Sequence, residues 1–171
     1  KEQGAVARSP RVSSRTRKAV DFYRSLIMRM EAKNELEGEL ATDLSYFKKN
    51  RVSESLRKGE LIGSIAVNCN PITKGHEFLI DYARSQVNWL YVLVIEDDSS
   101  AVSFQDRFNM VEATCASKPN VVVLRGGKYI CTQYIAPEYF DKSSKQGVHV
   151  DFGLESFYFG AYIAPVLGIR H

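Results

Sequence analysis

Three short apolar runs, Leu61 to Val67, Trp89 to Ile95 and Val121 to Leu124, alternate with two amphipathic stretches. Each run is too short for an ordinary helix, and its Ile, Leu and Val content suits a strand covered on both faces. His76 to Val87 reads as a helix whose apolar face is Phe78, Leu79, Tyr82 and Ala83. Ser103 is suited to cap a second helix, with Asp106 three residues on. Phe104, Phe108, Val111 and Cys115 form its apolar face, and Pro119 ends the segment. Strand, helix, strand, helix, strand predicts an α/β fold with a parallel sheet, flanking helices and right-handed crossovers. Ligands of such sheets lie beyond the carboxyl ends of the strands, near the first crossover.

The flanks read differently. Lys1 to Arg17 is polar and rich in Ser, Arg and Lys, as in a flexible leader. Val20, Tyr23, Ile27 and Met30 then share one helical face, and Leu36, Leu40, Leu44 and Phe47 repeat the spacing. Lys48 to Glu60 is charged and reads as a linker turning at Gly59. These features divide the chain into a helical arm over residues 1–58 and an α/β domain over 59–171. After a turn at Gly126 and Gly127, Tyr129 to Phe140 is aromatic-rich and fits a short strand or helix. Asp151 to Tyr162 has helical spacing, with Leu154, Phe157, Tyr158 and Ala161 on one side. The aromatic cluster from Tyr129 to Tyr162 is read first as core, with adenine or a partner protein as the alternative contact.

Composition excludes several classes. The apolar fraction of 44% supports a packed core, and no apolar run approaches a membrane span. Residues 1–58 hold 14 basic and 8 acidic residues, whereas the remainder is net acidic. The basic charges are interspersed along helical patterns, so a solvated helix face is the reading and nucleic-acid binding is not expected. Cys69, Cys115 and Cys131 are odd in number and lack C-x-x-C spacing, which fits reduced thiols in the cytoplasm and neither a disulfide framework nor a zinc site.

The segment with chemical content is Asn68-Cys69-Asn70-Pro71-Ile72-Thr73-Lys74-Gly75-His76. It leaves the first strand and opens the first helix, where main-chain N–H groups and the helix dipole favour phosphate. Gly75 lets a phosphate approach the backbone. Thr73 offers a hydroxyl, and His76 a donor for charge developing on an α-phosphate. Pro71 stiffens the loop. The alternative is an ordinary strand-to-helix turn with a capping Thr73 and a surface His76. Cys69 reads as a small buried residue, and His149 as a surface residue.

These residues resemble the (H/T)-x-G-H signature of the nucleotidyltransferase superfamily. With Asn-x-Asn-Pro before it, the segment is more specifically similar to the citrate lyase ligase family. The likeness continues through Glu96-Asp97-Asp98-Ser99, Phe104-Gln105-Asp106-Arg107, Gly126-Gly127-Lys128-Tyr129 and Tyr162-Ile163-Ala164-Pro165. The resemblance implies a Rossmann-like nucleotidylyltransferase fold, with Thr73 and His76 as phosphate contacts and transition-state stabilisers. It implies that Asn68, Asn70, Pro71, Gly75 and Arg107 line the nucleotide site. An ion pair with Asp106 or Glu112, or a cap on a neighbouring loop, is the structural alternative for Arg107. Glu96, Asp97 and Asp98 are read as an acidic solvated loop, so no metal ligand is assigned to the protein. The implied reaction is ATP-dependent, Mg²⁺-assisted adenylation of acetate. Acetylation of the thiol prosthetic group on the acyl-carrier subunit of citrate lyase would follow. Adenylyl or cytidylyl transfer to a phosphate ester, or a non-catalytic nucleotide-binding module, are the rival functions. The superfamily's later Ser/Thr-rich turn with its Arg is absent from the sequence, so the domain is expected to continue past His171.

Overall fold

The computed structural model describes residues 40–96, 100–130 and 153–169. The leader, the Val20 to Met30 pattern, Leu36, Asp97 to Ser99, Cys131 and the stretch 131–152 with His149 lie outside the described residues. In order, the described elements begin with helical residues 40–50 (α1), Glu54–Arg57 (α2), Ile62–Val67 (β1) and Lys74–Ser85 (α3). Trp89–Val94 (β2), Phe104–Cys115 (α4), Val121–Arg125 (β3) and a 3₁₀ turn at Gly127–Tyr129 follow. The last are Gly153–Tyr158 (α5), a π-helical turn at Phe159–Ile163 and Ala164–Leu167 (α6).

The sheet is parallel throughout, in the order β1-β2-β3. Ile62 pairs with Trp89 and Val67 with Val94, while Leu90 pairs with Val121 and Val94 with Arg125. The α/β expectation is therefore met. The middle strand is the most enclosed, with Leu90 to Val94 all buried, because it is hydrogen-bonded on both edges and covered on both faces. On one face α3 and α4 cover it through Ile80, Val111 and Cys115, which pack with Val67, Leu90 and Val92. On the other face Phe47, Val52, Tyr158, Ile163 and Leu167 pack with Ile62, Tyr91, Leu93 and Leu124.

The charged stretch expected to be a linker is not one over its first part. Residues 40–50 form α1, Phe47 is fully buried, and Val52 is 7% exposed in the same core. The charges at Lys48 and Lys49 face solvent, while the apolar side chains beside them point into the sheet. The backbone N–H of Val52 donates to the buried hydroxyl of Tyr91 on β2, at 2.9 Å.

The apolar face expected for α3 is corrected. Phe78, Leu79 and Tyr82 are 72%, 43% and 59% exposed, whereas Ile80 has no exposed surface. The helix carries two apolar stripes, and Ile80, Ala83 and the following Val87 form the one that meets the sheet, together with Ile72. Phe78 and Tyr82 stack on each other outside, with ring centroids 6.4 Å apart.

The last helical segment also departs from expectation. Phe157 and Ala161 are exposed, and the helix continues past Tyr162. Pro165 has no amide to donate one turn back, and at this point the Ala164 N–H reaches Phe159 O, five residues earlier. The wide turn rotates the buried stripe to Tyr158, Ile163 and Leu167. No helix among the described residues is long and apolar enough to cross a membrane.

Candidate functional site

β1 ends at Val67, and the chain then turns sharply. Cys69 adopts a left-handed conformation at φ 51°, and the Asn70–Pro71 peptide is cis. Six residues after Asn68, the chain enters α3 at Lys74. Thr73 is the N-cap, with extended backbone at φ −132°, ψ 167°. Its backbone N–H donates to His76 Nδ1 at 3.1 Å, and its Oγ1 lies 2.8 Å from the same nitrogen. This is the return arm of a capping box, made by an imidazole in place of the usual Glu or Gln.

The consequence is chemical. An Nδ1 that accepts from a main-chain amide has its lone pair in that bond, so the proton of a neutral ring resides on Nε2. The cap thus fixes both ring orientation and tautomer, leaving Nε2–H as the donor. The amides of Lys74 and Gly75, in the first turn, have no carbonyl within the helix to bind. Donors of two kinds, main-chain and imidazole, are gathered at the positive end of a twelve-residue helix.

Gly75 is not demanded by the protein's own packing. A Cβ there would meet only Thr73 Oγ1, at 3.6 Å, which is ordinary contact, and the residue does not need positive φ. A glycine in a helix is less favourable than alanine by up to about 1 kcal/mol. The space beside Gly75 is open.

The other expected residues are also gathered here, but by contacts with one another. Asn70 Oδ1 accepts from the Val102 N–H at 2.9 Å, and Asn68 Oδ1 accepts from Ser100 Oγ at 3.3 Å and Arg107 Nη1 at 2.7 Å. Arg107 has no exposed surface. Its guanidinium also donates to the carbonyls of Asn68, Ile95 and Val102, at 2.9, 2.8 and 3.1 Å. Of the structural roles weighed for it, the geometry matches the cap on a neighbouring loop. Ser103 caps α4 as expected, accepting from the Asp106 N–H at 3.2 Å.

Cys69 is fully buried, and its thiol is pushed up to about 11, mainly by burial and further by Cys115, against a lowering influence from Arg107. It stays protonated at neutral pH, which does not suit a nucleophile. Cys115 is also a buried free thiol, raised chiefly by burial.

Sequence reading missed a second polar group at the carboxyl edge of the sheet. Arg125, the last residue of β3, is paired with Asp43 of α1 at 2.9 Å and lies 3.9 Å from Glu96, beyond β2. Its guanidinium is 4.4 Å from the centre of the Tyr46 ring. An acid 82 positions away leaves no local signal in the sequence. Among the described residues no group of three or more His, Cys, Asp or Glu side chains is arranged to hold a metal ion.

Comparison with known proteins agrees with this geometry. A family model described as the citrate lyase ligase C-terminal domain matches residues 62–171. The chain is 37% identical over 125 residues to the [citrate [pro-3S]-lyase] ligase of Escherichia coli (strain K12), an alignment covering 71% of this chain and 36% of the relative. It is 36% identical over 117 residues to the enzyme of the same name from Klebsiella pneumoniae, covering 66% of this chain and 33% of that one. The corresponding Haemophilus influenzae ligase is 33% identical over 132 residues, covering 77% and 38%. The matched part thus spans about a third of each relative's length. With the motif at the end of β1, the parallel sheet and a match over most of the chain all in accord, the chain belongs to the citrate lyase ligase C-terminal domain family.

Proposed function

We propose that this domain binds ATP at the β1–α3 junction and transfers its adenylyl group to acetate. The acetyl group then passes to the thiol of the prosthetic group carried by the acyl-carrier subunit of citrate lyase. The observation that carries the reading is the Thr73–His76 cap, which engages His76 Nδ1 and leaves Nε2 outside that bond, beside the first-turn amides. Its support from kinship is the ligase name shared by the relatives.

Chemically, an acetate oxygen attacks the α-phosphorus, the bond to the bridging oxygen breaks, and pyrophosphate leaves. The thiol then adds to the acetyl carbonyl, its proton is lost, and AMP departs. His76 Nε2–H and the amides of Lys74 and Gly75 are placed to follow negative charge as it grows on the phosphate oxygens. Thr73 fixes the ring. Pro71 and Asn70 shape the loop, and Asn68 forms the wall nearest the sheet. Because acetate itself attacks the phosphorus, no protein nucleophile is required, and the residues act by positioning and electrostatics.

Mg²⁺ would accompany the triphosphate. The ion would be held chiefly by phosphate oxygens and water. It would neutralise phosphate charge. The same reading assigns the domain to the cytoplasm, where ATP and the reduced thiols belong.

The test is ATP–pyrophosphate exchange with the chain as it stands, with and without acetate and without any thiol. Exchange that requires acetate and falls at least a hundredfold in His76→Ala, with the fold intact, supports the proposal. Exchange that ignores acetate, or persists in His76→Ala, overturns it. Activity only with a phosphate ester would assign the site to the rival transfer reaction.

A further inference from the structure

Among the described residues Arg107 is the largest side chain with no exposed surface, and it stands at the edge where the ligand is expected. A guanidinium keeps its charge under all accessible conditions, so burying it is costly unless acceptors replace water. Among the described residues they include main-chain carbonyls and one amide oxygen drawn from three separate segments. Nη1 reaches Asn68 O, Asn68 Oδ1 and Ile95 O, and Nε reaches Val102 O.

The identity of those acceptors matters. Asn68 is the first residue after β1, Ile95 the first after β2, and Val102 lies just before the cap of α4. One side chain therefore pins both feet of the connection from β2 to α4 and the start of the loop leading to His76. Asn68 and Asn70 repeat the fastening from the other side, through Ser100 Oγ and the Val102 N–H. Lysine, with one nitrogen, cannot span the same set, because the Arg107 contacts diverge from Nε and Nη1.

We infer that Arg107 is a positioning residue for the nucleotide cleft. It sets the relative placement of the Asn68–His76 loop and the foot of the β2–α4 connection, and it does so from beneath the surface without meeting the phosphates. This rests on the nucleotide reading above. A cleft formed by two separate loops binds tightly only when their spacing is fixed in advance, so loosening the shared anchor lowers affinity for the whole nucleoside and not for its phosphates alone.

The experiment measures dissociation constants for ATP and for adenosine by titration calorimetry. It uses the whole chain carrying Arg107→Lys, Asn68→Ala or both, well below each melting midpoint. Positioning predicts that Arg107→Lys weakens ATP and adenosine by similar factors, on the order of tenfold, and that the double variant is no weaker than Arg107→Lys. Loss confined to ATP, multiplying effects in the double variant, or a lowered melting point with unchanged affinities would each overturn the inference. If Arg107→Lys does not fold, the unaltered protein decides, through arginine modification by 2,3-butanedione and peptide mapping. A buried anchor stays unmodified with or without ATP, whereas modification that ATP suppresses would show a phosphate contact and refute the proposal. Failure of the unaltered chain to bind ATP at all would instead sink the nucleotide reading.

Discussion

Asp43 Oδ1 lies 2.9 Å from Arg125 Nη2, joining a helix upstream of the family match to the last residue of β3 across 82 positions. The same arginine donates its backbone N–H to Tyr46 Oη at 3.2 Å, and its guanidinium covers the Tyr46 ring. Gly127, at φ 66°, is fitted against this pair, since a Cβ there would stand 2.9 Å from Asp43 Oδ2. α1 is thus tied to the sheet at its carboxyl edge and, through Phe47, in its core.

The first prediction concerns that tie. Asp43 is nearly buried while the Arg125 side chain is 33% exposed, so solvent screens part of the interaction. Asp43→Ala is expected to cost about 1–3 kcal/mol, less than a fully buried pair would lose. Phe47→Ala is expected to cost about 3–5 kcal/mol, because a fully buried aromatic leaves a cavity. Urea unfolding followed by circular dichroism measures both. An unchanged midpoint for either variant would show that α1 is only appended to the domain.

A second prediction separates stability from function at one atom. Gly75→Ala adds a methyl group to an open position near Thr73 Oγ1. The fold should gain up to about 1 kcal/mol from helix propensity. ATP binding should weaken at least tenfold if a phosphate occupies that space. Thermal unfolding and ATP titration on the same sample give both numbers, and tighter or equal ATP binding would remove the phosphate from this turn.

The Tyr91 hydroxyl offers a third. It receives the Val52 N–H at 2.9 Å in a buried setting, and burial raises its own pKa. Tyr91→Phe leaves that amide without its acceptor and is expected to cost about 1–3 kcal/mol. Hydrogen exchange at Val52 should quicken accordingly. Unaltered exchange there would mean that water replaces the hydroxyl without loss.

Cys69 supplies a pH dependence. Its folded-state pKa is raised from 9.0 to about 11, mostly by burial. Between those values the unfolded chain has released the proton and the folded chain has not, so unfolding is favoured as pH rises. The contribution is fully present below pH 9.0 and is lost progressively up to about pH 11. The loss amounts to about 2–3 kcal/mol. Cys69→Ser or Cys69→Ala should flatten this part of the stability curve, read by urea midpoints across the range. Rapid alkylation of native Cys69 at neutral pH would contradict the burial on which the argument stands.

Much of the fold was legible. β2 and β3 announce themselves as apolar runs, and Ser103 marks the start of α4, because a strand covered on both faces and a capped helix need those residues locally. The turn into α3 with Thr73 as its cap was legible for the same reason, but the bond from the Thr73 N–H to the His76 ring was not. The face of α3 was not. Both its stripes are apolar, and the stripe that docks is chosen by the direction in which β1 delivers the chain, with Ile80 inward and Phe78 outward. Phe47 was legible on an apolar helical face, but the docking of that face on the sheet was hidden, because its partners lie far along the chain.

Taken by itself, the amino-acid order determined the alternation of strands and helices and the caps at Thr73 and Ser103, because each is settled by residues within a turn or two of one another. Only the tertiary structure decided that Arg107 lies beneath the cleft, that α1 belongs to the core, and that Asp43 meets Arg125. Those outcomes depend on which distant carbonyls, carboxylates and apolar surfaces are brought together when the sheet closes, and burial then makes each pairing obligatory.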